Sequence, residues 1–154
     1  MSPLEILFLP LGWALRGKRA DAGLSVARAP ELATENRLEL TSDAFRDGEV
    51  IPAKHCGFGI GDNVSPALHW SKPPDGTRTL LLVIEDLDTP TKRPAIHTAA
   101  LFDATTATLA EGELTPDNQR FRYLPNHRGR TGYIGPRPLP GHGPHHYQFL
   151  SLIL

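Results

Sequence analysis

An antiparallel β-sandwich with few short helices is the fold class this sequence predicts, and three observations carry the prediction. Glycine and proline number 14 and 15 in 154 residues, with no repeat period, a density that weakens or breaks helices. The apolar stretches are short and separated by Pro/Gly turn signals. After residue 36 none of them shows helical periodicity. The length suits a single domain with a real core, one that buries roughly 68–70% of its unfolded surface. An apolar content of 40% and a charged content of 21% exclude a disordered acidic or basic tail. One cysteine, Cys56, excludes an internal disulfide framework and is compatible with a reducing cytoplasm, the expected location.

Taken in order, residues 1–36 read as an N-terminal apolar segment and linker, and residues 37–154 as the β domain. The run from Leu4 to Leu15 is interrupted by Pro10 and followed by Arg16, Lys18 and Arg19. That order of charge does not fit a secretory signal, and the run is shorter than the roughly 20 residues that span a bilayer. It packs on the domain or a partner subunit, or it lies at a membrane surface through residues 4–19. Leu38, Leu40, Ala44 and Phe45 suit a strand and its exit turn. Val50-Ile51 reads as a short strand ended by Pro52, residues 58–63 as a Gly-rich loop, and Ala67–Trp70 as a strand. Pro73-Pro74-Asp75-Gly76 is a turn. Thr79–Glu85 is a continuous apolar run, which implies burial on both faces. Ile96–Phe102 reads as a second buried strand, and Tyr147–Leu154 as another central strand.

Charge is uneven. Residues 118–154 hold no Asp or Glu but carry Arg120, Arg122, Arg128, Arg130 and Arg137 with His127, His142, His145 and His146. Such a quarter attracts anions, or forms a solvated face balanced by the acidic middle. Polar residues at the ends of buried strands are held rigidly. Glu85, Asp86 and Asp88 end one such strand, His97 opens the next, and His145, His146 and Tyr147 open the last. Three chemistries could use them. A metal site from His142, His145, His146 and Asp86 is disfavoured, because Gly143-Pro144 gives no helix or strand to converge His142 on His145. Neighbours 145 and 146 also face opposite ways on a strand. Nucleophilic catalysis by Cys56 or Ser65 lacks the sequence context that it requires. Anion recognition needs only donors: imidazoles, a phenol and backbone N–H groups of the Gly132–Pro136 turn.

Together these residues resemble the phosphatidylethanolamine-binding protein family, in its bacterial and archaeal Raf-kinase-inhibitor-like (YbhB/YbcL-type) branch. The resembling motifs are Leu40–Gly48 with Ile51-Pro52, Asp62–Trp70, Asp86-Leu87-Asp88-Thr89-Pro90, His97, Gly132–Pro138 and Gly141–Phe149. The resemblance implies a β-sandwich with a small anion pocket. Asp86, His97, His145 and Tyr147 fall on pocket positions, with Gly135 and Pro136 on the wall whose backbone faces the anion. The sequence departs from the family pattern in Leu87, Thr98, His146 and the stretch Pro125–Arg130, and it stops short of the usual C-terminal helix and strand.

The resulting expectation is non-enzymatic binding of a phosphate-bearing small molecule or phospholipid headgroup. His97, His145 and Tyr147 donate, Gly135 supplies backbone donors, and Asp86 orients an imidazole or meets an amine. The alternative is a protein-interaction module that inhibits a kinase or protease through the pocket rim. A hydrolase and a defective remnant are the remaining readings. No cofactor, metal or nucleic acid is expected, and a homodimer is left open.

Overall fold

The computed structural model describes residues 3–32 and 38–154. In chain order the strands are β1 (Leu40–Thr41), β2 (Leu68–Trp70), β3 (Thr79–Asp86), β4 (Ala95–Asp103), β5 (Thr108–Leu109), β6 (Arg122–Leu124) and β7 (Tyr147–Ile153). They form two antiparallel sheets, ordered β1-β2-β5 and β6-β4-β3-β7. Leu80, Leu82 and Ile84 of β3, with Ala100 and Phe102 of β4, meet Leu68, Trp70 and Leu109 of the smaller sheet in one core. Trp70 stacks obliquely on Phe102 at 5.2 Å and donates its indole N–H to Thr106 O at 2.7 Å, so the aromatic body is buried while its polar edge is satisfied. The arrangement approximates the expected sandwich, and β3 is buried from Leu80 to Asp86 as its apolar run requires.

Four local expectations need correction. Val50-Ile51 is not a strand: Val50 is 89% exposed, and among the described residues no strand pairs with it. β5 and β6 were not foreseen, since two and three residues are too few to show a period. β7 is an edge strand rather than a central one, paired with β3 alone among the described residues, and all seven of its residues are half-buried. The fourth concerns residues 20–36, expected to be a linker. They carry three short 3-10 turns at Ala22–Leu24, Val26–Arg28 and Pro30–Leu32, with 33–36 lying outside the described residues.

This segment is fastened to the sheet. Ser25 is buried, its hydroxyl donates to Glu85 Oε2 at 2.6 Å, and Val26 N donates to Glu85 Oε1 at 3.1 Å. Glu85 is 1% exposed, and a buried carboxylate without such donors would be strongly unfavourable. Ser25→Ala is therefore expected to destabilise the protein by about 1–3 kcal/mol, read as a lower urea midpoint at unchanged slope. An unchanged midpoint would show that the contact contributes nothing.

The N-terminal run forms helix α1 (Pro3–Leu15), with Pro10 inside it. Gly12 is its point of closest approach: a Cβ there would stand 1.9 Å from Pro140 O. Contact is narrow, and Leu7 (72%) and Trp13 (57%) stay exposed. Among the described residues no helix is long and apolar enough to cross a membrane.

Candidate functional site

The site begins with a register fault. Ile84 pairs with Thr98 but the next residue, Glu85, pairs with Ile96, so His97 is the extra residue of a β-bulge. Bulges re-aim side chains that strict alternation would place elsewhere. Asp86 ends β3 between Ala95 of β4 and Tyr147 of β7. The strand ends thus gather an acid, a phenol and an imidazole.

A chain of hydrogen bonds leads away from Asp86. Its Oδ1 accepts from Asp88 N at 2.9 Å, and its Oδ2 lies 2.7 Å from His145 Nδ1. Both side chains are almost fully buried, at 3% and 2%. His145 Nε2 lies 2.7 Å from His142 Nδ1. His142 Nε2 in turn faces two carbonyl oxygens, Leu15 O at 2.8 Å and Lys18 O at 3.0 Å. Carbonyls only accept, so these two favour a proton on His142 Nε2 with Nδ1 accepting; Arg19 Nη1, a donor only, lies 3.3 Å from Nδ1 and also 3.0 Å from Nε2. His145 must then donate from Nε2, and it meets a carboxylate at Nδ1. Its partners call for a proton on each ring nitrogen.

His97 is engaged differently. Its Nδ1 donates to Ile134 O at 2.9 Å, and its ring stands edge-on to Tyr147 at 5.2 Å and tilted to His127 at 4.9 Å. Burial, above all, draws its pKa down to about 4; the charges of His127 and Arg128 add to that, against the pull of Ile134 O and Asp86. At neutral pH the ring is uncharged, and its remaining nitrogen accepts. The Tyr147 hydroxyl is buried, near the Asp86 carboxylate and the Arg137 backbone. Burial and the Asp86 carboxylate raise its pKa, so it keeps its proton.

The Gly turn is held by Asn63. Gly135 N donates to Asn63 Oδ1 at 2.8 Å, and Asn63 Nδ2 donates to Tyr133 O at 3.2 Å. Asn63 itself has φ +57°, a conformation that its short amide side chain tolerates. Gly57 N donates to Pro136 O at 2.8 Å, and a Cβ on Gly135 would stand 2.2 Å from His55 O. A cleft of about 1020 Å³ opens beside the site, lined by Pro136, His145 and Tyr147 and by the apolar Phe45, Ile51 and Phe149.

The structure therefore brings Asp86, His97, His145 and Tyr147 together, with Gly135 and Pro136 on the turn after Ile134. Three expectations change. His97 is an acceptor at neutral pH rather than a donor, because its one proton is given to Ile134 O. The Gly135 N–H is already spent on Asn63. His142 does converge on His145, because Gly141 (φ +84°) and Gly143 (φ +116°) reverse the chain as no helix or strand would. His146 does face away, 80% exposed and bonded to Asp88. Among the described residues no group of three or more His, Cys, Asp or Glu is arranged to hold a metal ion. Sequence reasoning placed Asn63 in a motif but missed its hold on the Gly turn, and it missed Ser25 and the role of His142. Only the glycines flanking His142 signalled a tight turn.

Asp86, His145 and Tyr147 thus meet at the strand ends of a two-sheet antiparallel β protein, and the comparisons give its family. The profile described as Phosphatidylethanolamine-binding protein matches residues 41–152. The chain belongs to the phosphatidylethanolamine-binding protein family. Within it the similarity is to the YbhB/YbcL-type branch. The chain is 34% identical to the UPF0098 protein YbcL of Escherichia coli over 122 residues, 72% of this chain and 65% of that protein. It is 38% identical to the UPF0098 protein Rv1910c of Mycobacterium tuberculosis over 136 residues, 88% of this chain and 61% of that protein. A putative lipoprotein of the same organism, LppC, is 36% identical over 126 residues. The crystal structure of E. coli YbcL, described as a new member of the mammalian PEBP family, superposes with a TM-score of 0.64 at 33% identity, covering 74% of each chain. The chain thus spans 61% to 65% of the length of these two UPF0098 relatives.

Proposed function

We propose that the chain binds a phosphate-bearing small molecule or a phospholipid headgroup at this pocket, and does so without catalysing a reaction. The observation that carries the reading is the buried Asp86–His145 pair beside the buried Tyr147 hydroxyl, with His145 and Tyr147 both lining the cleft. An imidazole with a proton on each nitrogen, held by a carboxylate, supplies a positive donor. Tyr147 supplies a second donor, and a phosphate oxygen can accept both. His97, with one nitrogen left as an acceptor, suits a ligand hydroxyl or amine. The family description supports a binding role in general. The non-catalytic part is supported by Cys56: burial raises its thiol pKa, and its hydrogen bond goes to Pro52 O at 3.8 Å rather than to an imidazole.

The test is a titration of inorganic phosphate and of O-phosphorylethanolamine, followed by side-chain NMR of the histidines and tyrosines. His145 and Tyr147 are expected to shift with both ligands. If phosphate alone suffices, a free phosphate is the shared chemistry; tighter binding of the amine-bearing ligand points to a headgroup. Unmoved His145 and Tyr147 resonances at saturating ligand would remove the reading.

A further inference from the structure

We propose that His142 is an internal stand-in for the anion: it holds the His145 donor that a ligand would take, and the N-terminal segment locks it there. The inference rests on the anion-binding reading and adds regulation to that site. His145 has two donors. One is committed to Asp86, and the other lies 2.7 Å from His142 Nδ1. A phosphate oxygen can reach that second donor only if the His142 lone pair leaves.

His142 is held from behind. It is 1% exposed, and its Nε2–H is bonded to Leu15 O and Lys18 O, carbonyls at and just past the C-terminus of α1. Such carbonyls have no partner within a helix and favour a donor at this position. Arg19 closes the same corner: its Nη1 lies 3.3 Å from His142 Nδ1 and 3.0 Å from Nε2, it donates to Arg16 O at 2.9 Å and Lys18 O at 3.1 Å, and its Nε pairs with Asp88 at 2.9 Å. Arg16 Nε donates to Gly141 O at 2.6 Å. The absence of a side chain at Gly12 lets α1 lie directly on the Pro140–His142 backbone. The charged and titratable groups around His145 and His142 are Asp86 on β3, Asp88 beyond it, His97 on β4, Tyr147 on β7 and Arg19 in the N-terminal segment.

Two states follow. In the closed state His142 accepts from His145 and caps α1. In the open state α1 and the 139–144 turn separate, His142 swings out, and the His145 donor is free for a phosphate oxygen. A site open one-tenth of the time binds its ligand about tenfold more weakly than the open form does.

Inorganic phosphate titrated into wild-type, H142A and Gly12→Val proteins tests this, with histidine ring ¹⁵N shifts and the Trp13 indole N–H as readouts. Both variants are expected to bind phosphate about tenfold more tightly than the wild type. In the wild-type protein, phosphate is expected to move the His142 ring signals and the Trp13 indole together, a readout that does not depend on any variant folding. Phosphate binding that leaves His142 and Trp13 unmoved, or that H142A weakens or leaves unchanged, overturns the gate while the anion site stands. No binding to any of the three proteins overturns both.

Discussion

Asp86→Ala is expected to destabilise the protein by about 3–5 kcal/mol, the range for removing one partner of a buried ion pair, and to abolish phosphate binding. The two effects have one origin. His145 is 2% exposed and loses the carboxylate that justifies its second proton. A neutral His145 would still satisfy His142 from Nε2, but its Nδ1 would then face a cavity with no partner. The Asp88 amide loses its acceptor as well. Asp86→Asn separates the two effects: an amide oxygen can still accept from His145, so the fold recovers in part, while the positive charge offered to an anion does not. Urea unfolding and phosphate titration on the same samples read both. A stable Asp86→Ala protein with unchanged affinity would show that the pair is incidental to the site.

Stability should also fall as pH drops from about 6.5 toward 4, because of His97. Its pKa is near 6.5 unfolded and about 4 folded. Over that window the unfolded chain takes up a proton that the folded chain refuses, so the unfolded state gains with acid. The contribution is fully present above about pH 6.5 and is lost as pH falls through 4. At about 1.4 kcal/mol for each pH unit, it approaches 3 kcal/mol across the window. His97→Phe keeps an aromatic ring against Tyr147 and His127 but cannot titrate. Comparing urea midpoints for the two proteins between pH 7 and 4 isolates the residue, and equal pH slopes would show that His97 charges as easily inside as out.

Much of this was legible in the sequence. The two long strands were, since Leu80–Ile84 and Ala99–Phe102 are apolar without interruption and only a doubly covered strand tolerates that. Asp86, His145 and Tyr147 were legible as residues ending or opening such strands. The direction of hydrogen bonds was not. Whether His97 donates depends on Ile134, 37 residues away, and whether Gly135 is free depends on Asn63, 72 residues away. Sequence spacing gives residue types at strand ends but not which donor is already spent. The His142 turn was misread because convergence was sought from helices and strands, whereas two glycines at positive φ brought it about.

Helix α1 and the turn that covers it lie at opposite ends of the chain. Leu15 and His142 are 127 residues apart. At ribosomal speeds of about 5–20 residues per second, the helix waits some 6–25 s for the backbone on which Gly12 rests. During that interval Trp13 lacks the Gly141 backbone against which it lies, and the His145 donor has not yet been made. Synthesis therefore leaves α1 without the Pro140–His142 backbone throughout that interval.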